Sequence, residues 1–478
     1  MPSLFSAVNF QQFFVPQNAN LSETAVRNGW ILDEPTEFTD SDIAAFQEAV
    51  RRAYINEFIT SWRNAIANLE LQPFENLGDA ERKLQLITGS ENPYGRFLQS
   101  IERHTRIGGL SPAGAVETEV ADLDSSALDL TNAREVTLAF ADLHAMDELL
   151  DGQERSNLDL ALQAVDNLYT YVKSINEAAD PNDKALSLAK ERAELVSEDP
   201  ILTLRRVANS LPEPFQSHFE QIADETWIVI ARSAETRLNQ LWNDQIYTPY
   251  AQNLRDAYPF NPDATNHVSF EEFEEFLSAR GKVELFFEEH LSPFIDPVTG
   301  RGRSIDGYRM AFSGDALGSL TRVRRIQNAF FGEDGSFGLS FSMTPVAMDS
   351  GSARSIINID GQALPYRHGP ERTVGFIWPN TLSETQGSRI TFIPARSGQS
   401  NTTIEGSGVW SFFRLVEQAS KNDVRPGSVT LNFDQNGRQL AIRVETLTEI
   451  NPFGISLGRE LALPTQLIDE SQRVEIEN

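Results

Sequence analysis

Asn261, Asp263, Thr265, Ser269 and Glu272 stand at positions 1, 3, 5, 9 and 12 of one twelve-residue stretch, "NPDATNHVSFEE". Oxygen-bearing side chains at that spacing can encircle a calcium ion, as in an EF-hand loop closed by a bidentate glutamate. The fit is incomplete. Position 1 supplies an amide carbonyl where a carboxylate is wanted, and Asn266 stands where glycine makes the sharp turn. No partner hand is found elsewhere in the chain. The same residues have a plainer chemistry. Ser269 and Glu272 have the spacing of a capping box, with Val268 and Phe273 as its hydrophobic staple. Asp263 and Asn266 suit the preceding turn, which Pro262 stiffens. The cap is the preferred reading, and calcium is the alternative.

Other reactive signatures are weaker. "GISLG" at 454–458 matches G-x-S-x-G around Ser456. A nucleophile elbow needs a following helix and a later histidine, and no histidine lies beyond His368. His104, His144, His218 and His290 sit in helical patterns, without metal-ligand spacing, and are expected at surfaces or boundaries. Neither a phosphate-cradling loop nor a dinucleotide fingerprint is present, so no cofactor is expected. Carboxylate pairs such as those in "FEEFEEF" are so frequent that proximity in sequence says little. An Asp/Glu pair across a groove would make a glycan hydrolase, the enzymatic alternative.

Composition narrows the partners. The 478 residues carry 69 Asp+Glu against 40 Lys+Arg, a net charge of −29. Such a field repels phosphate backbones and anionic lipid headgroups, so neither nucleic acid nor a membrane surface is expected as a partner. Cysteine is absent, which excludes disulfides and thiol chemistry. The start lacks a basic segment and a cleavage site, and no apolar run approaches a membrane span. Any anchor is therefore expected outside this sequence.

The elements that must position these residues follow two periods. From about 40 to 330 apolar residues recur at three and four, as in Ile43, Phe46, Val50, Tyr54, Phe58, Trp62 and Ile66. Asn132 and Glu135 have capping-box spacing at the start of another helix. After Phe331 the period becomes two: "SFGLSFSM" alternates Phe337, Leu339, Phe341 and Met343. Further strand patterns follow, and Asn436-Gly437 signals a type I′ hairpin. The expected fold class is α+β and multidomain. Residues 1–331 form an all-helical region, with a subdomain break near 200–215. Residues 332–478 form an antiparallel β-sandwich domain containing one helix, "VWSFFRLVEQAS".

Phe376, Trp378, Trp410, Phe412, Phe413 and Phe453 are expected to fill the sandwich core, with partner anchoring as the alternative. Arg414 lies four residues after Trp410, so its stem can cover the ring while its head reaches a carboxylate or loop carbonyl.

An ordered set of blocks resembles the IcmF/TssM family. The blocks are "LFSAVNFQQFF", the tryptophan of "RNGWIL", "YINEFITSWRNAIANLEL", "AYPFNPDATNHVSFEEFEEFLSARGKVELFFEEHLSPFID" and "RIQNAFFGEDGSFGLSFSMTPVAMD". They continue with "IDGQALPYRHGP", the Trp378-Pro379 strand, "GVWSFFRLVEQA" and an ending that contains Asn451, Pro452 and Phe453. The resemblance implies a non-catalytic structural part of the type VI secretion envelope complex, or of a Dot/Icm type IV system. It implies the periplasmic portion of an inner-membrane protein, whose transmembrane helices and cytoplasmic domain are not in this sequence. The implied partners are an outer-membrane lipoprotein like TssJ, an inner-membrane protein like TssL reached through the missing regions, and further copies of the chain. Turn composition nominates two loops for the lipoprotein: Asp349, Ser350, Gly351 and Ser352, and Asp434, Gln435, Asn436 and Gly437.

Overall fold

The computed structural model describes residues 4–18, 20, 24, 39–107, 126–149, 154–196, 199–446 and 450–472. The "RNGWIL" block, with Trp30, lies outside them. Two compact units are present, Met1–Ala234 and Glu235–Asn478, and the division falls within the helix Phe215–Trp242.

Every element named among the first unit's described residues is a helix. Its longest element of its own, Asp40–Ala67, begins at Thr39 with a capping box to Asp42. Ile55, Phe58, Trp62 and Ile66 are buried, so the predicted stripe packs along its C-terminal half, whereas Phe46 stays exposed. The Trp62 indole donates to the Phe5 carbonyl at 2.8 Å and ties the N-terminal turn to this stripe. The helix Ser126–Ala139 starts six residues before Asn132, so that asparagine does not cap it. The spacing was real but fell inside a longer run of helix-compatible residues.

Three of the four helical histidines are buried, against expectation: His144, His218 and His290. Each has a reason to sit inside. His144 Nε2 lies 2.8 Å from the buried Thr105 hydroxyl, and burial pushes its imidazole down to about 4. His218 Nε2 donates to the Leu69 carbonyl at 2.8 Å. The His290 ring packs edge-on against Phe286. A histidine among apolar residues does not declare which side of the helix is covered, and that is why the pattern misassigned them.

The second unit opens with helices and then turns to sheet. One short hairpin interrupts the helical stretch: β1 (Ser304–Ile305) pairs with β2 (Tyr308–Arg309) across Asp306-Gly307. Both turn residues have positive φ, 47° and 85°, the requirement of a two-residue type I′ turn. The region ahead of residue 331 is therefore not entirely helical. The helix Gly314–Phe330 follows, capped by Ser313.

Among the described residues nine strands follow: β3 (Leu339–Met348), β4 (Ser352–Ile359), β5 (Gln362–Tyr366), β6 (Val374–Trp378), β7 (Ser388–Pro394), β8 (Thr402–Gly406), β9 (Ser420–Arg425), β10 (Ser428–Gln435) and β11 (Arg438–Thr446). They form two antiparallel sheets, ordered β6-β3-β11-β10-β9 and β5-β4-β7-β8. Val429, Leu431, Phe433, Leu440, Ile442 and Val444 bury one face of the first. Ile357, Ile359, Ile390, Phe392 and Ile404 bury one face of the second. Two sheets with one apolar face each meet the condition that a sandwich satisfies. The helix Ser411–Glu417 lies between β8 and β9 in sequence.

Candidate partner-binding surface

The two nominated loops, 89 residues apart from Asp349 to Arg438, are brought to one end of the five-stranded sheet. Met348 pairs with Leu440, so the turn after β3 and the hairpin joining β10 to β11 lie side by side. The hairpin is the two-residue turn that Asn436-Gly437 signalled. Gln435 pairs with Arg438, and φ is 56° at Asn436 and 79° at Gly437. Asp434 accepts from the Gly437 amide at 3.1 Å and from Gln439 Nε2 at 2.7 Å.

Asp349 joins the two loops. Its carboxylate accepts from the Gly351 amide at 2.8 Å, the Ser352 hydroxyl at 2.8 Å and the Gln439 amide at 3.1 Å. Arg438 adds a longer contact at 3.3 Å and donates with its other terminal nitrogen to Gln399 Oε1 at 3.0 Å. Burial pushes the Asp349 carboxyl up, but hydrogen bonds from Ser352, Gln439, Gly351 and Arg438 outweigh it and hold the group below the ordinary carboxylate value. Gly351 makes room for that cation: a Cβ there would lie 2.2 Å from Arg438 Nη1. Ser350, Gln435, Asn436 and Gly437 are exposed above this braced base. Beside it, Ala347, Ala441, Asn432, Ser420 and Gln439 line a shallow groove of about 450 Å³.

A general acid needs a carboxyl raised toward neutrality, and Asp349 is moved the other way. Sequence reasoning missed Arg438 and Gln399. Neither belongs to a turn signature, and only the register of β11 against β3 brings Arg438 to Asp349.

Four of the five calcium-spaced residues, Asn261, Asp263, Ser269 and Glu272, take part in local hydrogen bonds. Ser269 caps the helix Phe270–Leu277: its hydroxyl accepts from the Glu272 amide at 3.1 Å, and the Glu272 carboxylate accepts from the Ser269 amide at 2.9 Å. The staple residues Val268 and Phe273 are fully buried. Asn261 Oδ1 accepts from the Asp263 amide at 3.1 Å, an Asx turn. Thr265 is exposed. Ser269→Ala is expected to lower the stability of this segment by about 1 kcal/mol, within the usual span for a lost N-cap. Native-state hydrogen exchange of the 270–277 amides in parent and variant checks it. Thermal melts of the parent in calcium and in EGTA are expected to coincide, since a site that binds only the folded state must raise the midpoint.

The aromatic set is internal. Phe376, Trp378, Trp410, Phe412, Phe413 and Phe453 are all buried, so in this fold they fill core and offer no exposed anchor. Trp378 and Trp410 have centroids 5.2 Å apart, and Phe412 stacks on Phe341 at 5.0 Å. Phe270 and Phe273, on the capped helix, pack against Trp410 at 5.5 and 5.2 Å. The Trp410 indole donates to the Val268 carbonyl at 2.8 Å. Asn451 is buried and accepts from the Phe453 amide at 3.0 Å, which fixes the turn through the buried Pro452. Arg414 donates to the Pro262 carbonyl at 2.9 Å and to the Ala264 carbonyl. Its guanidinium lies 3.8 Å from the centroid of the Tyr258 ring. The ring it covers is Tyr258, with a loop carbonyl pair at its head. Ser456 precedes a one-turn helix, Leu457–Glu460, without a histidine in the later sequence.

Among the described residues no helix is long and apolar enough to cross a membrane, and no group of three or more His, Cys, Asp or Glu could hold a metal.

Comparison with known proteins covers most of the chain. The profile of the IcmF-related domain, "Intracellular multiplication and human macrophage-killing", matches residues 1–106. The type VI secretion protein IcmF helical domain matches 233–335, and the IcmF C2-like domain matches 341–448. A curated relative, type VI secretion system component TssM1 of Pseudomonas aeruginosa PAO1, is 24% identical over 493 residues. That match takes in 98% of this chain and 44% of the relative, so the chain spans less than half of it. A solved chain of a type VI secretion system membrane core complex superposes with a TM-score of 0.76 at 18% identity, covering 98% of this chain and 90% of that one. A second, from a type VI membrane complex, gives 0.73 at 17%, covering 98% and 86%. The order of helical and C2-like profiles along the chain coincides with the observed order of helices and sheets, and on these matches the chain belongs to the IcmF/TssM family.

Proposed function

We propose that this chain is a non-catalytic structural part of a type VI secretion envelope complex. In this reading it is the periplasmic portion of an inner-membrane protein. The observation that carries the reading is the run of three IcmF-domain matches in order along one chain, two of them to type VI secretion protein domains. Those matches favour the type VI assembly over a Dot/Icm type IV one. The structural role also agrees with where the chemistry goes: the carboxylates and histidines described above cap turns, brace loops or fill core.

In this reading the β domain, residues 332–478, grips an outer-membrane lipoprotein of the TssJ kind. The helical part packs against further copies, and a TssL-like protein is met only through regions beyond this chain. The braced end of the five-stranded sheet supports the grip. Asp349 and Arg438 hold the base rigid, and exposed Ser350, Gln435 and Asn436 present adaptable hydrogen-bonding groups. Rigid presentation lowers the ordering entropy of association.

Replacing Ser350 and Gln435 with lysines keeps the Asn436-Gly437 turn and the Asp349 brace and places cations at the contact. Titration of the purified lipoprotein into parent and variant by calorimetry is expected to show at least a tenfold loss of affinity, about 1.4 kcal/mol. Unchanged affinity removes this end of the sheet from the contact. Release of reducing sugar ends from purified peptidoglycan by the parent chain would overturn the non-catalytic reading.

A further inference from the structure

His267 occupies a seam between two parts of the second unit. On one side is the turn 257–268, in which the Tyr258 amide donates to the Asn266 carbonyl and the Val268 amide donates to the Tyr258 carbonyl. On the other is the loop that leads from β8 to the helix Ser411–Glu417. The ring is half-buried and packs edge-on against Tyr258 at 5.7 Å. Gly408 closes over it with φ of +76°, so near that a Cβ there would lie 2.4 Å from His267 Cε1. His267 Nε2 is buried without a hydrogen-bond partner. The seam is latched on both flanks: Trp410 donates to the Val268 carbonyl, and Arg414 holds the Pro262 and Ala264 carbonyls.

We infer that His267 makes this latch acid-sensitive, closing it when the imidazole is neutral and loosening it when the ring is protonated. Protonation puts a charge and an N–H where no acceptor stands, beside a fixed guanidinium. Burial and the Arg414 charge hold the imidazole below its ordinary value, and a backbone hydrogen bond at Ser407 works the other way to a lesser degree. An opened turn would return the ring to about 6.5. The open state then binds the proton more readily than the closed one. The latch is fully stable above about 6.5 and weakens as pH falls from there toward the depressed value of the closed state.

Burial raises the Glu417 carboxyl, which favours the closed state on acidification and so works against His267. Burial, followed by the Glu417 charge, raises the Tyr258 phenol, and burial lowers the Lys421 ammonium; both matter only in alkali. Asp263 on the turn itself is exposed. The variant His267→Gln keeps all of these groups, so a fall in protection that it abolishes belongs to His267.

Hydrogen exchange of the whole chain, followed on peptides spanning 258–268 and corrected for intrinsic rates, tests the latch. Between pH 6.5 and 5.5 the protection of the Tyr258 and Val268 amides is expected to fall several-fold, up to about tenfold for one proton. In His267→Gln the dependence is expected to vanish. Flat protection in the parent, or an equal fall in the variant, overturns the inference. Should the variant fail to fold, histidine-labelled parent protein gives the ring's titration by NMR directly. A midpoint below 6.5 supports the latch, and one at or above 6.5 overturns it.

Discussion

Trp410→Ala is expected to destabilise the second unit by about 3–5 kcal/mol, the range for deleting a large aromatic side chain from a packed core. The ring is wholly buried. It touches aromatic groups from four directions: Phe270 and Phe273 on the capped helix, Phe330 and Phe337 before the sheets, Trp378 at the end of β6, and Phe413 on its own helix. Removing it opens a cavity where those elements meet, and neighbours fixed on helices and strands can close it only in part. It also leaves the buried Val268 carbonyl without its donor. Trp410→Phe restores most of the volume but not the N–H, and is expected to lose about 1–2 kcal/mol. Two units in one chain make a single unfolding midpoint ambiguous. Native-state hydrogen exchange of the β10 and β11 amides reads the second unit alone, and their opening free energy should fall by these amounts. A loss below about 1 kcal/mol for the alanine variant would show that the aromatic cluster is not the joint of this unit.

How far the sequence announced this arrangement depends on distance along the chain. Ser269 with Glu272, and Asn436 with Gly437, are complete within a few residues, because a helix cap and a two-residue turn are determined by local hydrogen bonds and φ. The alternation from Phe337 to Met343 similarly declares a strand, and β3 takes up Leu339–Met348. Asp306-Gly307 carries the same kind of signal in a stretch flanked by helical patterns. The histidines show a different limit. His144 and His218 are buried through neighbours 39 and 149 residues away, Thr105 and Leu69, which no window of the sequence contains. The candidate surface divides in the same manner. Its exposed turn residues were nominated from composition, whereas Arg438 and Gln399, which brace it with Asp349, meet only through strand register.

Arg414 carries the second large effect. Its two terminal nitrogens donate to the Pro262 and Ala264 carbonyls, and its plane covers the buried Tyr258 ring. A charged hydrogen bond contributes about 1.5–3 kcal/mol, and a cation over an aromatic face about 0.5–2. The carbonyls lie near the surface and water replaces part of what is lost, so Arg414→Ala is expected to destabilise the turn 257–268 by about 2–3 kcal/mol. Arg414→Lys should recover less than half of that: one ammonium cannot span both carbonyls as a planar fork does, and it stacks less well on the ring. A double-mutant cycle with Tyr258→Leu separates the contributions. The coupling energy isolates the cation over the ring, and the remainder belongs to the carbonyls. Exchange protection of the Val268 amide gives all four corners of the cycle. If lysine serves as well as arginine, the side chain is only a counter-charge in an acidic chain; if it fails as expected, the planar fork itself seats the turn that carries Ser269 and its helix against the β domain.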